Sequence, residues 1–391
     1  MGTAVNPPVI LGWARSAVVP VGGALGALAA HEIGAPVLRA LMARAGVPAQ
    51  AVDAVVAGNA LGAGGNPARM VALAAGLPDH VAALSVDTQC CAGLDALTLA
   101  AGLLASGNAA IAIAGGVEAW SRAPIRQHRP RDAGEAPVPY DRPAFAPDPA
   151  RDPDLLLAAA RHAALHSIGR ARQDAFAAES HAKALAWRER MSQEIVPIGD
   201  ATHDSYAREL TASRMARMPI EAVADTLSDP VVAQEMAVSR LAIAPRADGA
   251  AFVLLATPQA ATALKIAPRF HWLGGTSIGV APEMPMLGAS TAAEALLRRA
   301  GLDAGALWGA ELHEAFAVQA LSFIQALGLQ PSRLNRGGGG LGRGHPIGAS
   351  GAVSLVRLLA DMAHDAPSGA HGLAAIAGAG GLGAAGLVQR L

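Results

Sequence analysis

The sequence predicts an α/β protein built from two related halves, with an irregular segment between the first and last thirds of the chain. Apolar runs such as 54–58 alternate with segments of helical spacing such as 23–45, which favours a mostly parallel sheet covered on both faces. The first and last thirds also share a pattern, in which a reactive side chain precedes a helix and a strand ending in glycines follows. Because the chain has 391 residues, a duplicated domain explains it better than one core.

The predicted elements follow this plan along the chain. We predict strands at 9–12, 54–58, 110–114, 248–255 and 373–381, and helices at 23–45, 91–105 and 171–193, with a glycine-rich turn and a helix start within 344–362. Residues 122–153 concentrate proline, arginine and aspartate, and a loop of this length in a compact protein is typical of a lid or binding loop. The uncharged stretch 96–117 is long enough to span a membrane, but the turn signal at 106–108 divides it into a buried helix and a strand.

Composition narrows the classes of partner and compartment. The formal net charge of −1 argues against a nucleic-acid partner, which usually requires a basic surface. The two cysteines, Cys90 and Cys91, are adjacent and cannot form a disulfide framework, which favours a reducing compartment. The start, 1–13, lacks the basic region of a signal peptide. We therefore expect a cytoplasmic protein that does not bind a membrane.

Cys90 is the first candidate for chemistry. It lies in the segment 89–93, at a predicted strand-to-helix junction. The free N–H groups and the positive end of the helix dipole at such a junction are expected to lower the pKa of a thiol and to bind an oxyanion. An inert buried cysteine is the alternative. Cys91 points to another face of the helix, and we interpret it as structural.

Two histidines are further candidates. His345 follows a glycine-rich run that starts at Gly337, so its imidazole is expected to be accessible. Such a run could also bind phosphate, but no clear strand precedes 337–340 and no ribose-binding acid is evident. His313 is followed by Glu314 amid apolar residues, and a buried core histidine is its alternative. No second histidine stands four residues on, and the sequence contains no metal-ligand cluster.

Taken together, these strings resemble the thiolase family along nearly the whole chain. The matching segments, in the family's order, are NPARMVALAAGLP (66–78), the Cys90 loop, AGGVEAWSRAP (114–124), RQDAFAAESHAKA (172–184), DGAA (248–251), HEAFA (313–317) and GHPIGASG (344–351). The resemblance implies a five-layered fold of two βαβαβαββ halves with an inserted loop domain. It implies an N-terminal half at 1–119 and 241–265, the loop domain at 120–240 and a C-terminal half at 266–391.

The resemblance also implies a reaction and a set of roles. It implies a homodimer or homotetramer that transfers acyl groups by a ping-pong route from acyl-CoA or another pantetheine thioester, without a further cofactor. Cys90 is the implied nucleophile, and His345 activates it and lines an oxyanion hole. Backbone N–H groups of Cys90 and Ala379 form the second hole, and His313 stands where the family usually has an asparagine that holds a water. The implied substrate-binding positions are Phe316, Ala244 and Leu155.

Three departures from the family pattern bear on the reaction. The family's C-terminal motif begins with a cysteine that acts as a base on the second acyl group, and Ala377 stands in that place. The Ser-Gly pair that contacts pantetheine is absent from 244–247, and 155–161 lacks the pattern that shapes the usual short-acyl pocket. The residues for acylation are present, whereas the base for reversible Claisen chemistry is absent.

Four readings of the function stay open at this point. The first is an acyltransferase that passes the acyl group from Cys90 to an unusual acceptor. The second is decarboxylative condensation by a set formed by Cys90, His313 and His345, similar to that of ketoacyl synthases. The third is an inactive partner subunit, and the fourth is an ordinary thiolase in which Cys91 or a water replaces the missing base.

Overall fold

The computed structural model describes residues 7–62 and 65–391, and it contains two α/β halves. The elements of the first half are β1 (Val9–Ser16), α1 (Ala30–Ala45), β2 (Ala54–Gly58), α2 (Pro67–Ala74), β3 (Ala82–Val86), α3 (Ala92–Ala105), β4 (Ile111–Glu118) and, after the insertion, β5 (Ala247–Ala256). The insertion carries α4 (Leu155–Leu165) and α5 (Arg170–Ala186). The second half comprises β6 (Phe270–Gly279), α6 (Gly288–Ala300), β7 (Leu307–Leu312), α7 (Ala317–Leu327), α8 (Ser350–Asp365), β8 (His371–Gly378) and β9 (Leu382–Arg390).

Shorter elements complete this framework. The short helices are Arg188–Met191, Ala212–Ala216, Pro230–Glu235, Pro258–Ala263 and Gly340–Arg343. The short strands are Val19–Pro20, Gln127–His128, Val138–Pro139, Ile195–Val196, Ile220–Ala222 and Val238–Ser239. Residues 122–153 contain little regular structure beyond one small antiparallel pair, in agreement with the predicted irregular loop.

The long strands form one continuous mixed sheet in the order β7-β8-β9-β6-β1-β5-β4-β2-β3. A short pairing between β1 and β6 joins the two halves. Among the long strands of the described chain the parallel pairs are β2–β3, β2–β4 and β7–β8, and the other neighbours along this order are antiparallel. The prediction of a mostly parallel sheet is therefore wrong. Continuous apolar strands report burial on both faces, and β5 is buried along its whole length although both its neighbours are antiparallel.

Helices and strands stack in five layers. Helices α1 and α2 cover the first half, α3 and α8 lie between the two halves, and α6 with α7 covers the second. The central helices approach closely, because a Cβ on Gly351 would lie 2.8 Å from the Cβ of Leu94, and one on Gly93 only 2.8 Å from the carbonyl oxygen of Gly348. This close contact brings the segments that precede α3 and α8 together.

Several predicted boundaries shift in the structure. The stretch 96–117 is divided as predicted, because α3 ends at Ala105, Gly107 has φ +75° and β4 begins at Ile111. Helix α1 begins at residue 30 rather than 23, after turns at glycines, whereas α8 begins at residue 350, after the glycine-rich turn predicted within 344–362. Among the described residues, no helix is long and apolar enough to cross a membrane. The expectation about the start of the chain falls partly on residues 1–6, outside the described residues.

Candidate active site

Cys90 is held by a strained turn between β3 and α3. The turn spans Gln89–Cys91, and Gln89 has φ +54°, a left-handed conformation that costs a non-glycine residue about 1 kcal/mol. Asp87 offsets this cost, because its Oδ1 accepts hydrogen bonds from the backbone N–H of Gln89 at 2.9 Å and from Nε2 of the same residue at 3.0 Å. The turn leaves Cys90 only 7% exposed, at the wall of a cavity.

His345 contacts the thiol directly. Its Nε2 lies 3.2 Å from Cys90 Sγ, and its Nδ1 lies 2.6 Å from Ser350 Oγ. The Ser350 hydroxyl donates its single proton to the carbonyl of Pro346 at 3.0 Å, so it accepts from Nδ1–H. This assignment leaves the lone pair of Nε2 facing the thiol. The hydrogen-bond network therefore fixes the imidazole in the tautomer that can take a proton from Cys90.

Glycines allow the His345 loop to approach the Cys90 loop. The carbonyl of Gly348 lies among Gly58, Gly93 and Gly116, and a Cβ on any of them would overlap that oxygen. Any larger residue at these positions would push the loop after His345 away from the first half. The glycine-rich composition of the sequence thus has a local role in assembling the site.

Glu118, at the end of β4, ties the same two segments together. Its Oε2 accepts hydrogen bonds from the backbone N–H groups of Ala60 at 2.9 Å and Gly348 at 3.0 Å, and its Oε1 accepts from Asn59 Nδ2 at 2.9 Å. Burial raises the pKa of this carboxyl group to about 7, although the backbone hydrogen bonds oppose the rise. Neither Glu118 nor Ser350 had a predicted role, although Glu118 lies within the AGGVEAWSRAP segment and Ser350 within GHPIGASG.

The catalytic pair is neutral at rest. Burial raises the pKa of the Cys90 thiol to about 11 and lowers the pKa of His345 to about 4. The expectation that the helix start lowers the pKa of the thiol is therefore wrong in its net direction. Backbone N–H groups of Ala379 and of Cys90 itself do lower it, but the loss of solvent is the larger effect. If this sulfur acts as a nucleophile, its proton has to pass to a base such as His345 during the attack.

The predicted oxyanion donors converge on the same sulfur. The backbone N–H groups of Ala379 and Cys90 both lower the pKa of the Cys90 thiol, which indicates that they lie beside it. Ala379 begins the tight turn between β8 and β9, where Gly380 and Gly381 both have φ +76°. An oxygen on a carbonyl carbon bonded to Sγ would lie beside these donors, which is the arrangement that stabilises a tetrahedral intermediate.

His313 lies behind His345. The two ring centroids are 4.3 Å apart, and His313 is 3% exposed and is not among the described residues that line the cavity. Burial, with smaller contributions from His345 and Arg343, lowers its pKa well below the usual value, so it is neutral. Its Nε2 has no hydrogen-bond partner within residues 7–62 and 65–391. His313 therefore packs against His345 and does not line the cavity itself.

Glu314 has a different environment from its neighbour His313. Its carboxylate accepts hydrogen bonds from Ser180 Oγ at 2.7 Å, Asn335 Nδ2 at 2.5 Å and the backbone N–H of Leu341 at 3.2 Å. Ser180 in turn accepts from the N–H of Gly339 at 2.9 Å. Glu314 therefore anchors the glycine-rich run before His345 to α5, and it does not face the cavity.

The cavity in front of the pair has a volume of about 570 Å³. Cys90, His345 and Ala379 line one wall of it. The predicted substrate-binding residues line the same cavity, and they are Phe316, Ala244 and Leu155. Residues of the irregular loop also contribute to the lining, and they are Arg126, Asp141, Arg142, Pro143 and Phe145. This loop therefore borders the cavity, where a binding loop was predicted, and the roles of the individual residues stay predictions.

A second base would have to reach the cavity, and Ala377 and Cys91 differ in their position relative to it. Ala377 is 8% exposed and presents only its methyl group to the cavity. Cys91 is not among the described residues that line the cavity, and its Sγ lies 3.8 Å from the carbonyl oxygen of Ile376. Burial raises the pKa of the Cys91 thiol well above its usual value. This geometry fits the structural interpretation of Cys91 and gives it no path to a bound acyl group.

Comparison with known proteins identifies the family. The thiolase N-terminal domain model matches residues 8–259, and the thiolase C-terminal domain model matches residues 269–390. The acetyl-CoA acetyltransferase of Allochromatium vinosum is 34% identical over 98% of this chain and 99% of its own. That of Shinella zoogloeoides is 35% identical over 99% of this chain and 100% of its own.

The fold comparison agrees with the sequence comparison. The crystal structure of Acat5 thiolase from Ascaris suum, in complex with coenzyme A, superposes with a TM-score of 0.88 at 28% identity, over 99% of this chain and all of that one. The acetyl-CoA acetyltransferase of Bacillus anthracis gives the same score and identity over the whole of both chains. The predicted fold class is thereby confirmed, and the chain belongs to the thiolase family of acyltransferases, as its motifs predicted.

Proposed function

We propose that the protein transfers acyl groups from acyl-CoA through a thioester on Cys90. The observation that carries this proposal is the chain of contacts from Cys90 Sγ through His345 to Ser350, with two N–H groups aimed at the sulfur. The sulfur attacks the thioester carbonyl while Nε2 takes the thiol proton. When the tetrahedral intermediate collapses, the carbon–sulfur bond to CoA breaks, and the leaving thiolate takes the proton back from His345.

The names of the relatives support CoA as the carrier. The aligned relatives are called acetyl-CoA acetyltransferases, and the Ascaris suum structure is a complex with coenzyme A. We propose the same class of acyl donor for this chain. A pantetheine thioester on a carrier protein would present the same reacting group.

The second half of the reaction differs in our proposal from ordinary Claisen chemistry. That chemistry removes a proton from the α-carbon of a second thioester, and a general base typically contributes a factor of about 10²–10⁴. Ala377 cannot move a proton. We therefore propose that the acyl group passes to an acceptor that brings its own nucleophile, and that ordinary thiolysis is slow.

Decarboxylative condensation is a second candidate, and one observation favours it. The ring of His313 lies 4.3 Å from the ring of His345, which contacts Cys90, so two neutral imidazoles adjoin at this site. Loss of CO₂ from a malonyl-type thioester produces a carbanion without a base at position 377. The expected result under this candidate is that malonyl-CoA releases CO₂ only when Cys90 already carries an acyl group, and that His313→Asn suppresses the release.

Intact-protein mass spectrometry with a panel of acyl-CoA thioesters tests the main proposal. We expect one acyl mass, mapped to the peptide that contains Cys90, and no stable label on Cys90→Ala. Cys91→Ala is the matched control and should still be acylated at Cys90. Label on Cys91, or equal labelling of Cys90→Ala, would contradict the assignment, and no labelling by any thioester would favour an inactive partner subunit.

A further inference from the structure

An arginine stacked on a tryptophan lies at the wall of the active-site cavity. The guanidinium carbon of Arg246 lies 5.0 Å from the ring centroid of Trp120, in a cation–π contact. The Trp120 ring lies 6.5 Å from the ring of His345. We call Trp120 and Arg246 the Trp–Arg pair. Both residues line the same cavity as Cys90.

The backbone places Arg246 directly beside His345. The two residues form an isolated parallel bridge, in which the N–H of His345 donates to the carbonyl of Pro245 at 2.7 Å and the N–H of Ala247 donates to the carbonyl of His345 at 3.2 Å. Residues opposite each other in such a bridge project their side chains to the same side. Arg246 therefore projects to the side on which His345 meets the thiol.

The charge of Arg246 is available, in contrast to the other arginines of the cavity. Its side chain makes no hydrogen bond or ion pair with the described part of the chain, and it is exposed. The other arginines lining the cavity are engaged: Arg142 with Asp152, Arg240 with Glu221, and Arg126 with the carbonyl of Leu61. Stacking on an indole face leaves the N–H edges of a guanidinium free to bind an anion.

The turn that carries Trp120 is fixed from below. Asp248 accepts hydrogen bonds from the N–H of Ser121 at 2.8 Å and from its hydroxyl group at 2.5 Å. Ser121 Oγ also accepts from the N–H of Gly22 at 2.9 Å. The acid nearest to Arg246 in sequence is thus committed to Ser121, and the indole face is held in place as a support for the guanidinium.

We propose that the Trp–Arg pair binds a carboxylate group carried by the acyl chain of the substrate. This inference rests on the proposed acyl-Cys90 function. The pair lies beside the catalytic imidazole, and the acyl portion of a thioester must lie near that imidazole during attack. The phosphates of CoA are separated from the thioester by the long pantetheine arm. The substrate class is therefore a thioester of a dicarboxylic acid.

The test compares two thioesters that share CoA and a four-carbon acyl chain. Succinyl-CoA carries a terminal carboxylate, and butyryl-CoA carries a methyl group in its place. The rate of Cys90 acylation is measured with each by quenched mass spectrometry, and labelling of Cys90→Ala is subtracted as chemical background. We expect faster acylation by succinyl-CoA, and we expect Arg246→Leu to lower the succinyl-to-butyryl ratio about tenfold, as for the loss of one charge-assisted hydrogen-bond pair.

Two further variants and the butyryl rate make the result decisive. Arg246→Lys should restore part of the ratio, and Arg240→Leu, which removes a paired positive charge from the same cavity, should leave the ratio unchanged. Equal losses with both thioesters would show that Arg246 binds their common CoA moiety and would overturn the inference, as would an unchanged ratio. If another acyl-CoA of the panel acylates Cys90 but succinyl-CoA does not, the inference fails while the proposed function stands, and if no acyl-CoA acylates Cys90, the proposed function itself fails.

Discussion

The substitution Ala377→Cys tests the missing base directly. Ala377 is the penultimate residue of β8, and it pairs across the hairpin with Gly383, which has no side chain to obstruct a larger neighbour. Its methyl group already borders the cavity of about 570 Å³. A single added sulfur therefore has room, and we expect the free energy of unfolding to change by less than about 1 kcal/mol.

The expected gain in rate follows from the chemistry that is restored. A thiol at position 377 could take the proton that a methyl group cannot, and a positioned general base contributes a factor of about 10²–10⁴. We expect thiolysis of a 3-ketoacyl-CoA to rise at least about a hundredfold from a low wild-type rate, at the low end of that range. Acylation of Cys90 by acyl-CoA should not change, because it does not need this base.

The assay measures thiolysis and Cys90 acylation in parallel, under reducing conditions. Ala377→Ser is the matched control, because its hydroxyl group is of similar size and is a much weaker acid than a thiol. Cys91→Ala in the same background checks that the adjacent thiol plays no part. Two results would contradict the claim that Ala377 leaves the protein without a base for thiolysis. They are rapid thiolysis by the wild-type protein, and no gain in an Ala377→Cys protein that is still acylated at Cys90.

Three further predictions concern Cys90, His345 and the residues whose hydrogen bonds hold them in place. Ser350→Ala removes the acceptor for Nδ1–H of His345, so single-turnover acylation should slow about tenfold, while His345→Ala should slow it further. Glu118→Gln places an amide N–H₂ against a donor in either orientation, the N–H of Gly348 or Nδ2 of Asn59, and urea unfolding should show a loss of about 2 kcal/mol. Because burial raises the pKa of Cys90, the wild-type protein minus Cys90→Ala should show no ultraviolet thiolate absorbance up to pH 9.0; absorbance at neutral pH would instead indicate a thiolate–imidazolium pair.

The sequence predicted the kind of fold more reliably than the direction of its strands. Strand 54–58 lies where it was predicted, and the split of 96–117 into helix and strand is present. Strand direction is set by which strands become neighbours, and β8 and β9 are antiparallel because the tight turn at 379–381 joins them. An apolar run carries no information about its neighbour, so alternation alone could not settle the direction.

Residue types alone were enough to indicate which side chains could react. The thiol of Cys90, the imidazole of His345 and the methyl group of Ala377 are properties of residue type, as is the lack of a side chain at each glycine. These features are local, so a single pass along the chain finds them. They led to the thiolase family, which the comparisons confirmed.

The contacts and protonation states of those groups depend on the tertiary structure. Cys90 and His345 are 255 positions apart, and their contact exists because α3 and α8 pack together between the two halves. Their protonation states depend on burial, and the local helix-start pattern predicted the pKa shift of Cys90 in the wrong direction. The support from Ser350 and Glu118 and the placement of Arg246 beside His345 also arise from long-range packing. Desolvation and hydrogen bonding depend on every atom around a group, and most of those atoms come from distant parts of the chain.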